Sequence, residues 1–447
     1  LFLLQQGVIY AMPLVVGDEN LAKISSGSMA ISGATVGLLF AAATAGFHGA
    51  RSTGAPPRPS RWSFYLRGSS LQRKKAIDLC LTLLASSLAF HLATRSGLLY
   101  EMLPGKLWSL FPVLRAGSDA ASMFGALIGG IYLSSPSMRA RSVAFWAMLL
   151  GIFFLSISDV LLSAATGLIL ATAVGLALGR SRFPWAFFLA AFCLLGFLNQ
   201  GKFMVREKYW DPESHSTHLK ISELPSFYLD WASTSLDQLI GSEPENPARP
   251  DFQRIRTEAK PDGQSLLDRI DNFQILNFAV DSIRVDDKPV LMGKTYGLIP
   301  PLLIPRFLWP DKPRTHEGQV ILNLHFERQQ SREETEKTYI AWGLLPESIG
   351  NFGPFGGPII FGLAIGWLFG FLERFSYRKE LFSIEGLLLI AFLLKVVTSF
   401  EMVSSVFVTS TFQFLVIVAV GGYFLRLWFL SGASLRTIRS PGHHSIQ

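Results

Sequence analysis

A polar block of about 150 residues, set between long apolar segments, most strongly constrains how this chain can fold. The block extends from Lys202 to Gly353, and the sequence on both sides of it is rich in apolar residues. The chain as a whole is 49% hydrophobic and only 16% charged, whereas about a quarter of the residues in a soluble domain are charged. This composition predicts an integral membrane protein with one large polar region.

Ten apolar segments can be distinguished, and each is close to the 17–25 residues that a helix needs to cross the hydrocarbon of a bilayer. We therefore predict an all-α integral membrane protein with about ten transmembrane helices and one large external loop region of amphipathic helices. Residues 1–201 would hold seven spans, 202–353 the loop region, 354–425 three spans and 426–447 a cytoplasmic tail. The segments are 1–16, 27–48, 76–94, 117–134, 142–158, 160–179, 184–201, 354–372, 384–400 and 406–425.

The net charge of +7 is unevenly distributed along the chain. Residues 202–353 contain 18 Lys/Arg and 23 Asp/Glu, whereas the remainder contains 22 Lys/Arg and 10 Asp/Glu. The basic residues outside the block cluster in short connections such as 49–75, which contains no acidic residue. With ten spans, five such clusters fall on one side of the membrane, which the positive-inside rule identifies as cytoplasmic. The block 202–353 is then external, and a nucleic-acid partner is not expected.

The chain begins at Leu1 without a methionine. We expect that further residues precede it, and that 1–16 is the end of a longer spanning helix. A cleaved signal peptide is a weaker interpretation, because no basic segment precedes the apolar run.

The segment 300–314 combines closely spaced prolines with cationic side chains. Prolines at this density stiffen the backbone and exclude a regular helix. A rigid loop that carries Arg306, Lys312 and Arg314 is a candidate anion site, because guanidinium groups bind phosphate in a bidentate manner and Lys supplies a point charge. Trp309 offers an apolar face for a sugar ring. The alternative is a stiff re-entry into the membrane, with Trp, Arg and Lys acting as interfacial anchors.

Glu347 lies within a glycine-rich stretch that leads into the eighth apolar segment. A lone carboxylate beside apolar surface is a candidate general base. The alternative is that Glu347 caps a helix or lies in the interface without a catalytic role. We expect a bent turn around it, because Gly343, Gly350 and Gly353 flank it.

Residues 265–283 have the apolar periodicity of an amphipathic helix. An ordinary surface helix is one interpretation. The other places Arg269 over the membrane, where it would face a phosphate group.

Several other classes of site find little support in the sequence. The four histidines of the polar block, His215, His218, His316 and His325, lack the spacing of a zinc site, and neither a Walker-type nor a dinucleotide-binding glycine motif is present. Proton-coupled transporters depend on ionisable residues within their membrane spans. Such residues are scarce within the apolar segments of this chain, which makes a proton-coupled transporter a weaker interpretation.

Taken in order, the motifs from residue 293 to 356 resemble the O-antigen polymerase, or oligosaccharide repeat-unit polymerase, family of Wzy-type proteins. The pattern is Gly-x-x-Tyr-Gly, then Ile-Pro-Arg-x-x-Trp-Pro-x-Lys-Pro, then Glu-x-x-x-Asn-Phe-Gly-x-x-Gly before a spanning helix. The layout of ten spans with one large external loop late in the chain also agrees with this family. The matching positions are Tyr296, Gly297, Pro305, Arg306, Trp309, Pro310, Lys312, Pro313, Glu347, Asn351, Phe352, Gly353 and Gly356.

The resemblance implies a glycosyltransferase of the C type that works without a metal or other cofactor. Its donor would be a polyprenyl-diphosphate-linked oligosaccharide at the outer face of the bacterial inner membrane. Arg306, Lys312 and Arg269 are then expected to contact the diphosphate, with Glu347 as the general base and His316 as the reserve base. The remaining candidates for binding diphosphate or sugar are Arg314, Trp309, Tyr296 and Asn351.

Three other functions stay open at this stage. An O-antigen ligase would use the same donor with a different acceptor, and a flippase would move the lipid-linked sugar across the membrane without a reaction. The third is a non-catalytic assembly factor. The expected partners are the lipid-linked oligosaccharide, the bilayer, and a chain-length regulator and flippase of the same pathway.

Overall fold

A computed structural model describes residues 2–16, 26–52, 70–133, 139–211, 216–240, 272–306, 308–337, 340–376, 384–399 and 401–434. Within these residues the protein is all-α, apart from one small hairpin in which Trp210–Asp211 pairs antiparallel with Ser216–Thr217. The first nine helices are α1 (Phe2–Val16), α2 (Ser26–Ser52), α3 (Ser70–Arg95), α4 (Leu98–Met102), α5 (Phe111–Tyr132), α6 (Arg139–Ile157), α7 (Ser163–Arg180), α8 (Trp185–Tyr209) and α9 (Leu224–Ile240).

The second half of the described chain contains short helices followed by three long ones. They are α10 (Phe273–Arg284), α11 (Ile299–Leu303), α12 (Glu317–His325), α13 (Arg332–Lys337), α14 (Leu344–Ser376), α15 (Ile384–Val397) and α16 (Ser404–Ser434). Short 3-10 turns occur at Gly105–Leu110, Ile221–Glu223 and Tyr296–Leu298.

Six described helices are long and apolar enough to cross a membrane, namely α2, α3, α6, α8, α14 and α16. This finding identifies a multi-pass membrane protein. Each of the ten apolar segments of the sequence coincides with a helix, since α1, α5, α7 and α15 account for the other four. The count of ten spans stays a prediction, because these four are shorter or less apolar than the six.

Two helices distant in sequence, α2 and α14, pack closely because glycines face the partner backbone. A Cβ atom at Gly366 would lie 2.0 Å from the carbonyl oxygen of Ala43, and one at Gly370 would lie 2.5 Å from that of Phe47. Small residues allow such close approach between helices in lipid, where packing rather than the hydrophobic effect drives association. The contact joins the N-terminal helices to the helix that follows the polar block.

The boundaries of the polar block differ from those predicted. Helix α8 continues to Tyr209, beyond the expected end of the span at 201, and α14 begins at Leu344 rather than near 354. The stretch around Glu347 is therefore helical and not the bent turn that its glycines suggested. The bend occurs later, at Gly353, where φ is 79° and ψ is 170°. Helix α16 likewise extends to Ser434, into the predicted cytoplasmic tail.

Candidate functional site

Glu347 lies in the first turn of α14 and is fully buried. The Thr295 hydroxyl donates a hydrogen bond to its Oε1 atom over 2.7 Å. The backbone N–H of Ser404 donates to its Oε2 atom. One carboxylate therefore connects three segments that lie far apart in the sequence.

Asn351 lies one helical turn after Glu347 and forms a hydrogen bond with the same residue, Thr295. Its Nδ2 atom donates to Thr295 Oγ1 and to the carbonyl oxygen of Glu347, both over 2.8 Å. A threonine hydroxyl can donate one hydrogen bond while it accepts others, so both contacts form together. The preceding loop is also fixed by its backbone, because Leu291 and Met292 donate to the carbonyl oxygens of Gly350 and Asn351.

Ser404 is the first residue of α16, where backbone N–H groups have no partner within the helix. The Glu347 carboxylate satisfies one of these groups and places negative charge at the positive end of the helix dipole. The neighbouring Ser405 hydroxyl donates to the carbonyl oxygen of Thr315 over 3.0 Å. The N-terminus of α16 thus brings the segment before α12 close to Glu347.

Tyr296 lies beside this network. Its ring stacks on Phe352 with a centroid separation of 5.6 Å and an interplanar angle of 20°. Burial raises the pKa of the Tyr296 phenol, the nearby Glu347 raises it further, and a hydrogen bond with the Ser404 side chain has the opposite effect. Tyr296 is therefore a neutral phenol held in place by the residues around Glu347.

The arrangement favours a positioning role for Glu347 in this conformation. Both of its carboxylate oxygens accept hydrogen bonds, and no part of the residue is exposed. An acceptor hydroxyl could reach it only after one of these bonds opened. The general-base role of Glu347 stays a prediction that the geometry does not favour.

Arg306 and Lys312 both hold the proline-rich loop together. The guanidinium of Arg306 donates to the carbonyl oxygens of Pro310 (2.9 Å) and Pro313 (3.4 Å). The ammonium of Lys312 donates to the carbonyl oxygens of Leu302 (2.8 Å) and Ile304. Their positions are thus fixed by backbone atoms, which leaves their positive charges uncompensated by these contacts.

No carboxylate of the described residues forms an ion pair with Arg306 or Lys312. Burial lowers the pKa of Lys312, and the positive charge of Arg306 lowers it further. The two cations lie on the same short stretch of backbone, because Arg306 bonds to the carbonyl oxygen of Pro313, next to Lys312, and Lys312 bonds to that of Ile304, two residues before Arg306. Two neighbouring cations with no acidic partner form a site where an anion would be stabilised.

The other loop residues fall into two groups. Arg306 and Trp309 are exposed, so an approaching ligand can contact them. Arg314 is also exposed, but it forms a 2.8 Å ion pair with Glu336, whose pKa is lowered mainly by a hydrogen bond from Arg332. Arg314 is already engaged within the protein and is a weaker candidate for phosphate binding.

His316 directly precedes α12, and its Nδ1 atom shares a 2.6 Å hydrogen bond with Oε1 of Gln319. Gln319 is buried, so it fixes the orientation of the imidazole. Arg269, the third candidate for diphosphate binding, lies outside the described residues. No group of three or more His, Cys, Asp or Glu side chains in the described ranges could hold a metal ion; metal-independent chemistry stays a prediction.

No family model, curated protein or solved structure matches this chain.

The function must therefore be inferred from the residues of the site. Three of these residues, Thr295, Ser404 and Ser405, were not predicted from the sequence. Thr295 lies between Lys294 and Tyr296, at one of the variable positions of the Gly-x-x-Tyr-Gly motif. Ser404 and Ser405 lie in the short connection between two apolar segments. Their signal was the preference of serine for helix N-termini, but the carboxylate partner could not be identified without the tertiary structure.

Proposed function

We propose that this protein is a polysaccharide polymerase that joins polyprenyl-diphosphate-linked oligosaccharide repeat units at the outer face of a bacterial inner membrane. The product would be O-antigen or exopolysaccharide. The proposal includes ten spans, an external 202–353 region and cytoplasmic basic connections, which the distribution of charge supports.

The observation that carries the proposal is the pair of neighbouring cations, Arg306 and Lys312, on a loop fixed by prolines and lacking an acidic partner in the described chain. The loop follows α11, which packs against the apolar helix α16. An anionic headgroup presented at the end of a membrane helix would reach these charges. A lipid diphosphate has this chemistry, and the sequence motifs around the loop resemble those of enzymes that use such a donor.

In the proposed reaction, an acceptor hydroxyl of one repeat unit attacks the anomeric carbon of the donor glycan. The bond between that carbon and the diphosphate oxygen breaks, and polyprenyl diphosphate leaves with the bonding electrons. Positive charge fixed in advance at the leaving group lowers the barrier to this step. Arg306 and Lys312 would supply that charge, and the exposed Trp309 ring would lie beside a sugar.

A base must take the proton of the acceptor hydroxyl, and general-base assistance is typically worth about 10²–10⁴-fold in rate. His316 has the geometry of an oriented base, since Gln319 fixes its Nδ1 atom. Glu347 would act by holding Thr295, Tyr296 and the start of α16 in place. This assignment makes His316, which the sequence suggested only as the reserve base, the general base, and gives Glu347 a positioning role instead.

The lipid-linked glycans of a strain that lacks the protein provide the test. Accumulation of single repeat units on the lipid carrier supports a polymerase. Intact polymer that stays on the carrier would instead indicate a ligase, and loss of all outward-facing glycan would indicate a flippase. A chain-length regulator and a flippase of the same pathway are the protein partners that a polymerase would require.

A further inference from the structure

An apolar groove runs between α3, α5, α15 and α16, well away from the residues around Glu347. Its cavity has a volume of about 120 Å³, and all of its lining residues are Gly, Ala, Leu, Ile, Val or Phe. Along α5 it extends from Gly117 to Ile128, which is about 16 Å at 1.5 Å per residue. The groove is thus long and narrow, with walls that offer no hydrogen bond from a side chain.

Small residues create the empty space. Gly421 of α16 lines the groove, and a Cβ atom placed on it would meet nothing within 4 Å. Gly422 follows it, and a Cβ atom there would meet only Leu388, at 4.0 Å. Gly421 is itself exposed, so the groove is open along this part of α16 and no side chain fills it there.

Helix α16 connects this groove to the cationic loop. Its N-terminal residue Ser404 bonds to Glu347, and the helix packs against α11, whose Leu302 carbonyl binds Lys312. From Ser404 to Ile417, the first groove residue on this helix, the distance along the axis is about 20 Å. A lipid with its diphosphate at Arg306 and Lys312 could therefore lay its chain along α16 and into the groove.

The cationic loop sets the direction of such a lipid. Lys312 is bound to α11, which packs against α16 near Ser404, so the headgroup would bind on that side and the chain would extend towards Ile417.

We propose that this groove binds the polyprenyl chain of the lipid-linked donor. The inference rests on the proposed function, which supplies a long-chain lipid diphosphate as the ligand. It adds that recognition extends from the headgroup to the chain, and that a chain too short to cover about 20 Å of α16 cannot use the groove.

The test measures lipid binding and needs no polymerisation. Full-length protein in nanodiscs would be titrated with a long-chain polyprenyl phosphate and with geranyl phosphate, which has the same headgroup and a short chain. Gly421→Phe fills the groove, and Gly421→Leu fills less of it. Gly37→Phe is the matched control, because Gly37 lies on the exposed face of α2 and a Cβ atom there also meets nothing within 4 Å.

Gly421→Phe should weaken binding of the long-chain phosphate by about tenfold, the loss expected when the packing contacts of one isoprene unit are removed. Gly421→Leu should weaken binding of the long-chain phosphate to a smaller extent. This variant replaces Gly421→Phe in the test if the Phe variant does not fold. Geranyl phosphate should bind all variants equally, and Gly37→Phe should bind both ligands like the wild type.

Equal long-chain affinity in wild type and in both Gly421 variants would overturn the proposal. So would native mass spectrometry that shows a phospholipid displaced by Gly421→Phe while polyprenyl binding is unchanged. If long-chain binding depends on Gly421 but the wild type does not polymerise lipid-linked units, the groove assignment stands and the proposed function fails.

Discussion

The Thr295 hydroxyl donates a 2.7 Å hydrogen bond to Oε1 of Glu347, and both residues are fully buried. The other carboxylate oxygen accepts the N–H group of Ser404. Glu347 therefore joins the loop before α11 to the first turns of α14 and α16. The same loop leads directly to Arg306 and Lys312, so a change at Glu347 would also disturb the position of the cationic loop.

Glu347→Gln should lower stability more than it lowers the intrinsic rate of transfer. The Gln amide group would place N–H donors against the Thr295 hydroxyl or the Ser404 N–H, and an unsatisfied buried group costs about 1–3 kcal/mol. The melting temperature in detergent and the donor affinity, both measured on the same purified variant, would test this expected loss of stability. Thr295→Val should be similarly destabilised, while Thr295→Ser should behave like the wild type because it keeps the donor. Normal stability and donor affinity with a 10²–10⁴-fold loss of turnover would restore Glu347 as the general base.

Arg306→Lys should reduce polymer formation strongly while expression is maintained. An ammonium is a point charge and cannot replace the planar fork of donors that holds the Pro310 carbonyl and that, in the proposed reaction, would bind a phosphate. The matched control is Arg314→Lys, because Arg314 is already paired with Glu336. Polymer length on gels, normalised to protein amount, is the measurement. Wild-type polymer from Arg306→Lys would show that Arg306 acts only as an interfacial anchor.

Donor affinity should fall as the pH rises through the lowered pKa of Lys312. The lysine must be protonated to attract an anion, and in the folded protein it loses its proton at a lower pH than in the unfolded chain. Below that pKa, the charged Lys312 slightly destabilises the fold, so without ligand stability should rise with pH until the usual lysine pKa is reached. Lys312→Arg should bind donor without this alkaline fall, since guanidinium stays protonated. A parallel fall in both proteins would assign the effect to another group.

Gly353→Ala should destabilise the protein, because φ 79° and ψ 170° are essentially restricted to glycine and cost other residues on the order of 1–3 kcal/mol. A Cβ atom there would meet only Val290, at 3.9 Å, so the effect would come from the backbone and not from a clash. Gly356→Ala, on the same helix, is the control and should unfold at or above the wild-type temperature. Equal melting temperatures for the two variants would show that the bend at Gly353 is not required.

The sequence predicted the helices well and the site only partly. All ten apolar segments coincide with helices, as expected for segments that would have to satisfy their own backbone hydrogen bonds in lipid, although only six are long and apolar enough to span a membrane. The proline-rich loop was also recognised as carrying Arg306 and Lys312, but the expectation that its prolines exclude a helix was wrong for Ile299–Leu303, where two prolines lie at the start of a short helix, a position that tolerates proline. The environment of Glu347 was not predicted, because it depends on Thr295 and Ser404, which lie 52 and 57 positions away in the sequence. Of the three glycines around Glu347 that suggested a turn, Gly343 and Gly353 adopt a positive φ, whereas Gly350 lies within the helix that carries Glu347.

Reconstitution of the purified protein with lipid-linked repeat units tests the central claim most directly. Proteoliposomes should produce a ladder of lipid-linked glycans, with one polyprenyl diphosphate released for each new linkage, and Arg306→Lys should produce far less of both. Repeat units that cross the bilayer without growing longer, or that are transferred only to a different lipid acceptor, would contradict the assignment as a polymerase.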